Sequence, residues 1–348
     1  MTNRILVALD GSGLAEQVIP YASVLAERTG ASLVLATAIT AGDRWVDDGA
    51  IRKWEEEEQG AAEAYLASVA RGLAQSGVQA RGRVQWGRPD AVLQAIADDE
   101  HANLIALTTH GRSGFARWRM GSVADKLLRS ATTPLLLVHA QKDAPVERPA
   151  LRRILLPLDG SPLAESALPF VEGLAKNLGA SVLLQHAVTP VMAFYGTEFI
   201  PGSLPVMEGL EAGARDYLAK KAKGLRHHGL KVETRVDFVE YAGQAIIEAA
   251  QDADLIALTT HGRTGPARWI IGSVADAVIR HAEVPCLVIP CRVTGPEKDD
   301  EEPVKSAALL AGTTVVPPPG WSETPIAESP RVTAPATRGH RPERSPGR

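Results

Sequence analysis

The stretch LIALTTHGRSGFARWRMGSVAD, Leu104–Asp125, returns as LIALTTHGRTGPARWIIGSVAD at Leu255–Asp276, 151 positions later. A chain that writes one sentence twice must fold as two similar units. Core packing alone does not ask for such fidelity, because a core exchanges Leu, Ile and Val if volume and pattern are kept. Glycines at a fixed spacing report on backbone geometry instead, since only Gly takes positive φ freely or lets another group approach the main chain closely. The repeat therefore points to a loop with a job, built in duplicate.

The surrounding sequence alternates strand and helix in both copies. In the first, RILVAL (4–9), ASLVLATAI (31–39), VQARGRVQW (78–86), NLIALTT (103–109) and PLLLVHA (134–140) read as strands. Helical segments lie between them, the first of them closed by Gly30. The second copy repeats the order with strands RRILLPL (152–158), ASVLLQHAV (180–188), LKVETRVDF (230–238), DLIALTT (254–260) and CLVI (286–289). Strands joined by helices imply a parallel sheet covered on both faces, and continuous apolar runs such as LIAL fit strands buried on both sides. The fold class expected is α/β: two doubly wound parallel five-stranded sheets in tandem, each with strand order 3-2-1-4-5. The units are placed at residues 1–141 and 151–291. Residues 292–348 are rich in Pro and lack periodicity, and are expected to be disordered. Pro20 and Pro169 fall inside the first helix of each unit, where a kink is expected.

Composition removes several classes of function. The net charge of −4 argues against a nucleic-acid partner, which needs clustered Lys and Arg. No run approaches the ~20 apolar residues of a membrane helix. The beginning MTNRILVALDGS has no signal-peptide pattern, so the cytoplasm is the expected location. Cys286 and Cys291 form neither a disulfide framework nor a zinc pattern and read as ordinary thiols. No catalytic residue stands out: His110 and His261 lack a nucleophile or second base at matching spacing and read as loop residues, and nothing resembles a Walker lysine. The chain is expected not to be an enzyme.

In an open α/β sheet, ligands bind beyond the carboxyl ends of the strands, where strand order reverses. Asp10 at the end of strand one would face that crevice. Beside it, strand four ends in Thr109 and leads through His110-Gly111-Arg112-Ser113-Gly114 to Gly121-Ser122 and a helix. Ser122 is expected as the N-cap, and the free N–H groups and dipole of the helix behind it suit a phosphate or other anion. Asp159, Gly262, Gly272 and Ser273 offer the same arrangement in the second unit. Asp10 and Asp159 could equally be turn or cap residues, and Arg112 and Arg263 could reach a phosphate or only solvent.

VALDGS near the beginning and THG-x9-GS after strand four resemble the universal stress protein family, and the chain resembles a tandem member of it. The resemblance implies an adenine nucleotide alpha hydrolase-like fold and a nucleotide site in each unit, with ATP and Mg2+ as the expected ligands. It assigns Asp10, Ala38, Gly111, Gly121, Ser122 and Val123 to the first site, and Asp159, Ala187, Gly262, Gly272, Ser273 and Val274 to the second. In the nucleotide-binding pattern G-x2-G-x9-G-[S/T], the first glycine is replaced here by Thr108 and Thr259. A β-branched residue there resists positive φ and adds bulk beside the phosphate path. Two readings follow: a stress-response protein that senses adenine nucleotide, or a protein-interaction module with degenerate pockets. Strand five is an apolar sheet edge in both units and tends to find a partner strand. The expected partners are therefore the sister unit, in an internal pseudo-dimer, a second copy in a homodimer, and a regulatory protein.

Overall fold

In a computed structural model of the chain, the described residues are 3–40, 48–109, 120–141, 147–189, 194–195, 198–199, 204–260 and 271–290. Cys291 and the tail at 292–348, with the disorder expected of it, lie outside them. Met1–Glu297 belong to one unit, so both repeats share one body.

The first repeat runs β1 (Arg4–Ala8), α1 (Gly13–Glu16), α2 (Ile19–Thr29), β2 (Ser32–Ile39), α3 (Asp48–Gln75), β3 (Ala80–Trp86), α4 (Pro89–Asp99), β4 (Leu104–Thr108), α5 (Ser122–Ser130) and β5 (Leu135–Val138). The second runs β6 (Arg153–Pro157), α6 (Pro162–Glu165), α7 (Leu168–Leu178), β7 (Ser181–Val188), the short antiparallel pair β8 (Phe194–Tyr195) and β9 (Glu198–Phe199), α8 (Leu204–His227), β10 (Val232–Phe238), α9 (Ala242–Ala249), β11 (Leu255–Thr259), α10 (Ser273–His281) and β12 (Cys286–Ile289). The β8–β9 pair has no counterpart among the strands expected from sequence.

Each repeat has the 3-2-1-4-5 order, and the two sheets fuse into a ten-stranded sheet, β10-β7-β6-β11-β12-β5-β4-β1-β2-β3. All neighbours in it are parallel except β5 and β12, which meet antiparallel with Leu136 opposite Leu287. Those two leucines occupy equivalent places in the repeats, so a pseudo-twofold axis passes between them. The apolar edges foreseen from sequence thus satisfy each other within the chain. Alternation along the strands feeds two cores: Ile5, Val7, Ile154 and Leu156 face α2, α3, α7 and α8, whereas Leu6 and Leu155 face α4, α5, α9 and α10.

The helix expected to kink at Pro20 is instead interrupted. Helix α1 ends at Glu16, α2 starts at Ile19, and the same gap precedes Pro169. The reason is local. Gln17 and Val18 donate to Leu14 and Ala15 in tight i→i−3 bonds at 3.3 Å, and Pro20, with no N–H to offer, opens the next helix. Both α2 and α7 close on a left-handed glycine, Gly30 at φ 67° and Gly179 at φ 68°.

Helix α3 packs tightly over β3. A Cβ added to Gly82 would sit 2.9 Å from Leu66 Cβ, an atom fixed to the helix backbone. Gly82→Ala is expected to destabilise the chain by ~1–3 kcal/mol, as overpacking of a filled core does, read as a lower urea midpoint at unchanged slope.

Candidate functional site

The β1–β4 junction, where strand order reverses, lies in the middle of the first repeat, and β6–β11 does the same in the second. With Val7 level with Ala106, the residues that follow β1 and β4 emerge side by side at the carboxyl edge. Asp10, Thr108, Thr109, Gly121 and Ser122 therefore gather at one end of the sheet. Thr37 Oγ1 donates to Leu9 O at 2.9 Å and fixes the tip of β2, with Ala38 beside it, to the same place.

Asp10 shapes the turn after β1. Its Oδ1 accepts from Ser12 N–H at 3.0 Å across Gly11, whose φ of 80° needs a glycine. Ser12 in turn caps α1, its Oγ accepting from Ala15 N–H at 3.1 Å. In the second repeat Asp159 Oδ1 accepts from both Ser161 N–H at 2.9 Å and Ser161 Oγ–H at 2.6 Å. Both aspartates are thus turn-forming residues, half-buried at the lip of the crevice. Among the described residues no group of three or more His, Cys, Asp or Glu could hold a metal ion.

Thr108 and Thr259 close β4 and β11 and are nearly buried. They are paired strand residues, Thr108 with Val138 and Thr259 with Ile289, so this backbone makes no demand for positive φ. The residues that follow do the closing work: Gly121 N–H donates to Thr109 O at 2.6 Å and Gly272 N–H to Thr260 O at 2.9 Å. These bonds bring each loop back to the strand it left and set the start of the following helix. They also move the cap. Gly121 and Gly272 are the N-caps, extended at φ −61° and −59°, and Ser122 and Ser273 are the first helical residues rather than the caps expected. Neither α5 nor α10 has a side-chain hydrogen bond at its cap. Among the described residues, none accepts a hydrogen bond from the first-turn N–H groups of Ser122, Val123, Ser273 or Val274.

The repeats differ around this edge. Val123 is half-buried, whereas Val274 is 40% exposed next to α9, where Tyr241 is also exposed. In the place of Ala36 stands Gln185, fully buried, its Nε2 donating to Asp237 Oδ2 at 2.7 Å and to Ala245 O at 3.0 Å. Arg235 holds the Asp237 carboxylate from the other side. Sequence reasoning passed over this group, although a glutamine inside the apolar run SVLLQHAV was its signal. Ala187, two residues on, is half-buried at the edge, as Ala38 is in the first repeat. Behind the clefts, α5 and α10 are tied across the repeat boundary by Arg280 Nη2 and Asp125 Oδ1 at 3.2 Å. Hydrogen bonds from Arg129, and a further one from Arg280, hold the Asp125 carboxyl below its usual range against the opposing effect of burial. Gly111 and Gly262, with His110, His261, Arg112 and Arg263, lie outside the described residues.

The fold and the edge define a class: a doubly wound α/β sheet with a helix start set beside its switch point, the place where sheets of this kind take their ligands. The comparisons make it specific: the Universal stress protein family model matches residues 1–139 and again 150–290, and the chain belongs to that family. A universal stress protein of Mycobacterium tuberculosis is 27% identical over 240 residues, 68% of this chain and 78% of its own. Another from Mycobacterium bovis is 23% identical over 304 residues, covering 82% and 94%. Among solved structures, a universal stress protein from Archaeoglobus fulgidus superposes with a TM-score of 0.61 at 20% identity, covering 83% of this chain and 99% of that one. A second from Pseudomonas aeruginosa gives 0.57 at 18% identity, covering 83% and 93%. At these identities the structural likeness concerns the fold.

Proposed function

We propose that the chain is a stress-response protein that binds adenine nucleotide, ATP with a divalent cation, at the carboxyl edge of each repeat, and that it acts by presenting a surface that depends on occupancy. The observation that carries this reading is the pair of helix starts at Gly121 and Gly272, closed onto Thr109 O and Thr260 O and lacking a side-chain cap. A phosphate placed there accepts from first-turn N–H groups and meets the positive end of a helix dipole. The residues present fit such a group: Ser122, Val123, Ser273 and Val274 supply backbone donors at an edge accessible to solvent. Asp10 and Asp159 stand at the lip of each cleft, where a ribose or a phosphate-bound cation would come. The role in this reading is binding: the Ser161 hydroxyl that donates to Asp159 is used in the turn, its Oγ also accepting from Ala164 N–H at 3.1 Å as the cap of α6. Native mass spectrometry of the full chain tests the reading: adenine nucleotide retained on the protein is expected. A bare mass that stays bare after incubation with ATP and Mg2+ contradicts it and leaves the interaction module.

A further inference from the structure

At the amino ends of β1 and β4, at the opposite edge of the sheet from the nucleotide clefts, a cavity of about 290 Å3 opens between α2 and α7. Its floor is apolar and comes from both repeats: Ile5, Leu25, Leu104, Leu136, Leu255 and Leu287 are all buried. Its mouth carries the carboxamides of Asn3, Asn103 and Asn177, and among the described residues no ionic side chain lines it.

The pseudo-twofold axis makes the cavity a departure from symmetry. The segment IPYASVLAERTG (19–30) aligns without gaps on LPFVEGLAKNLG (168–179), so Gly173 stands where the first repeat has Val24. Val24 is buried, whereas an added Cβ on Gly173 would meet nothing within 4 Å. The mouth is altered in step. Asn3, Asn103 and Asn177 correspond to Arg152, Asp254 and Arg28, so three charged residues on one side of the axis are three carboxamides on the other. The charged side is engaged by the protein itself: Asp254 Oδ2 accepts from Arg152 N–H at 2.7 Å and from Arg153 N–H at 2.9 Å. Burial and then the Asp254 charge raise the Tyr21 hydroxyl above its usual pKa. On the carboxamide side Phe170 replaces Tyr21 and brings no hydroxyl. Asn103 Oδ1 accepts from Arg4 N–H at 3.2 Å, which leaves its Nδ2 hydrogens for a guest.

We propose that this cavity is a binding site for a small uncharged amphiphile, one with a short alkyl or ring portion on the leucine floor and a carbonyl, amide or hydroxyl head among the three asparagines. The volume corresponds to about ten waters at ~30 Å3 each, room for a guest of about ten non-hydrogen atoms. A charged head would lose water without gaining a countercharge, whereas a carboxamide mouth both donates to and accepts from a neutral one. The site is independent of the nucleotide reading.

The probe is octanamide, followed by saturation-transfer NMR on the full chain, with octanoate as the charged partner of the same length. Saturable transfer is expected, unaffected by ATP-Mg, with octanoate weaker by about tenfold, a difference of ~1.4 kcal/mol. Gly173→Val copies Val24, fills the cavity and relieves a helix-interior glycine. It is expected to weaken octanamide by about tenfold or more while the melting temperature holds or rises. Asn177→Arg, at an exposed position, copies Arg28 and is expected to weaken octanamide without loss of fold. Absence of transfer, unchanged binding in both variants, octanoate bound as tightly as octanamide, or a sedimenting dimer that Gly173→Val disperses would each overturn the proposal, the last by making this face an interface between copies.

Discussion

Replacing both cap glycines, Gly121→Val and Gly272→Val, is expected to lower the affinity for ATP-Mg proposed above by about tenfold or more, equivalent to ~1.4 kcal/mol, while the protein stays folded. The backbone permits the change. Both residues are extended, at φ −61° and ψ 150° and at φ −59° and ψ 144°, which valine adopts without strain. A Cβ on Gly272 would have Thr260 O at 3.6 Å, an ordinary contact. The structural cost is a poorer N-cap on two helices, ~0.5–1 kcal/mol each. The functional cost is larger, because two methyl groups then stand beside the N–H groups that would meet a phosphate. Isothermal titration gives the affinity and thermal melting checks the fold. Parent-like affinity in a folded double variant would place the phosphates elsewhere.

The largest loss of stability is expected at the seam between the repeats. Leu136 and Leu287 face each other across β5 and β12 and are almost wholly buried. Either Leu→Ala change is expected to cost ~2–5 kcal/mol, and the pair less than the sum, because the two side chains share one environment. Leu287→Asp goes further. It strands a carboxylate in that core at a cost of several kcal/mol, a large fraction of the ~5–15 kcal/mol that holds an ordinary domain together. Cys286 reports the event: it is fully buried in β12, and burial pushes its thiol up to about 12. In a Cys291→Ser background, the Cys286 thiol should resist a disulfide reagent in the parent and react readily in Leu287→Asp. Equal resistance in both would mean that the seam is not what buries it.

Much of this was legible in the residues. CLVI read from sequence has the bounds of β12. Strand order followed from the helix crossovers, since parallel strands joined by helices leave few topologies open. The apolar edge strands announced a partner, but not that two sheets would merge in register with Leu136 on Leu287, because edge hydrophobicity carries no register. The proline in the first helix was visible and its effect underestimated: a kink needs the preceding turn to stay α-helical, and Gln17 and Val18 tighten instead. The cap shifted from Ser122 to Gly121 because the Gly121 N–H is taken by Thr109 O, a bond that a list of cap preferences does not contain. Threonine at 108 and 259 raised the question of positive φ, and as paired strand residues both stand before the turn, where none is needed. The cavity at Gly173 is a difference between the repeats, which the features they share do not reveal.

Titration calorimetry of the parent chain with ATP-Mg is the most direct measurement. Saturable heat, abolished or strongly weakened when Gly121 and Gly272 are both valine, is the predicted result. Silence at millimolar ligand, with no displacement of a fluorescent ATP analogue, would contradict the account and leave two well-formed helix starts without an anion to bind.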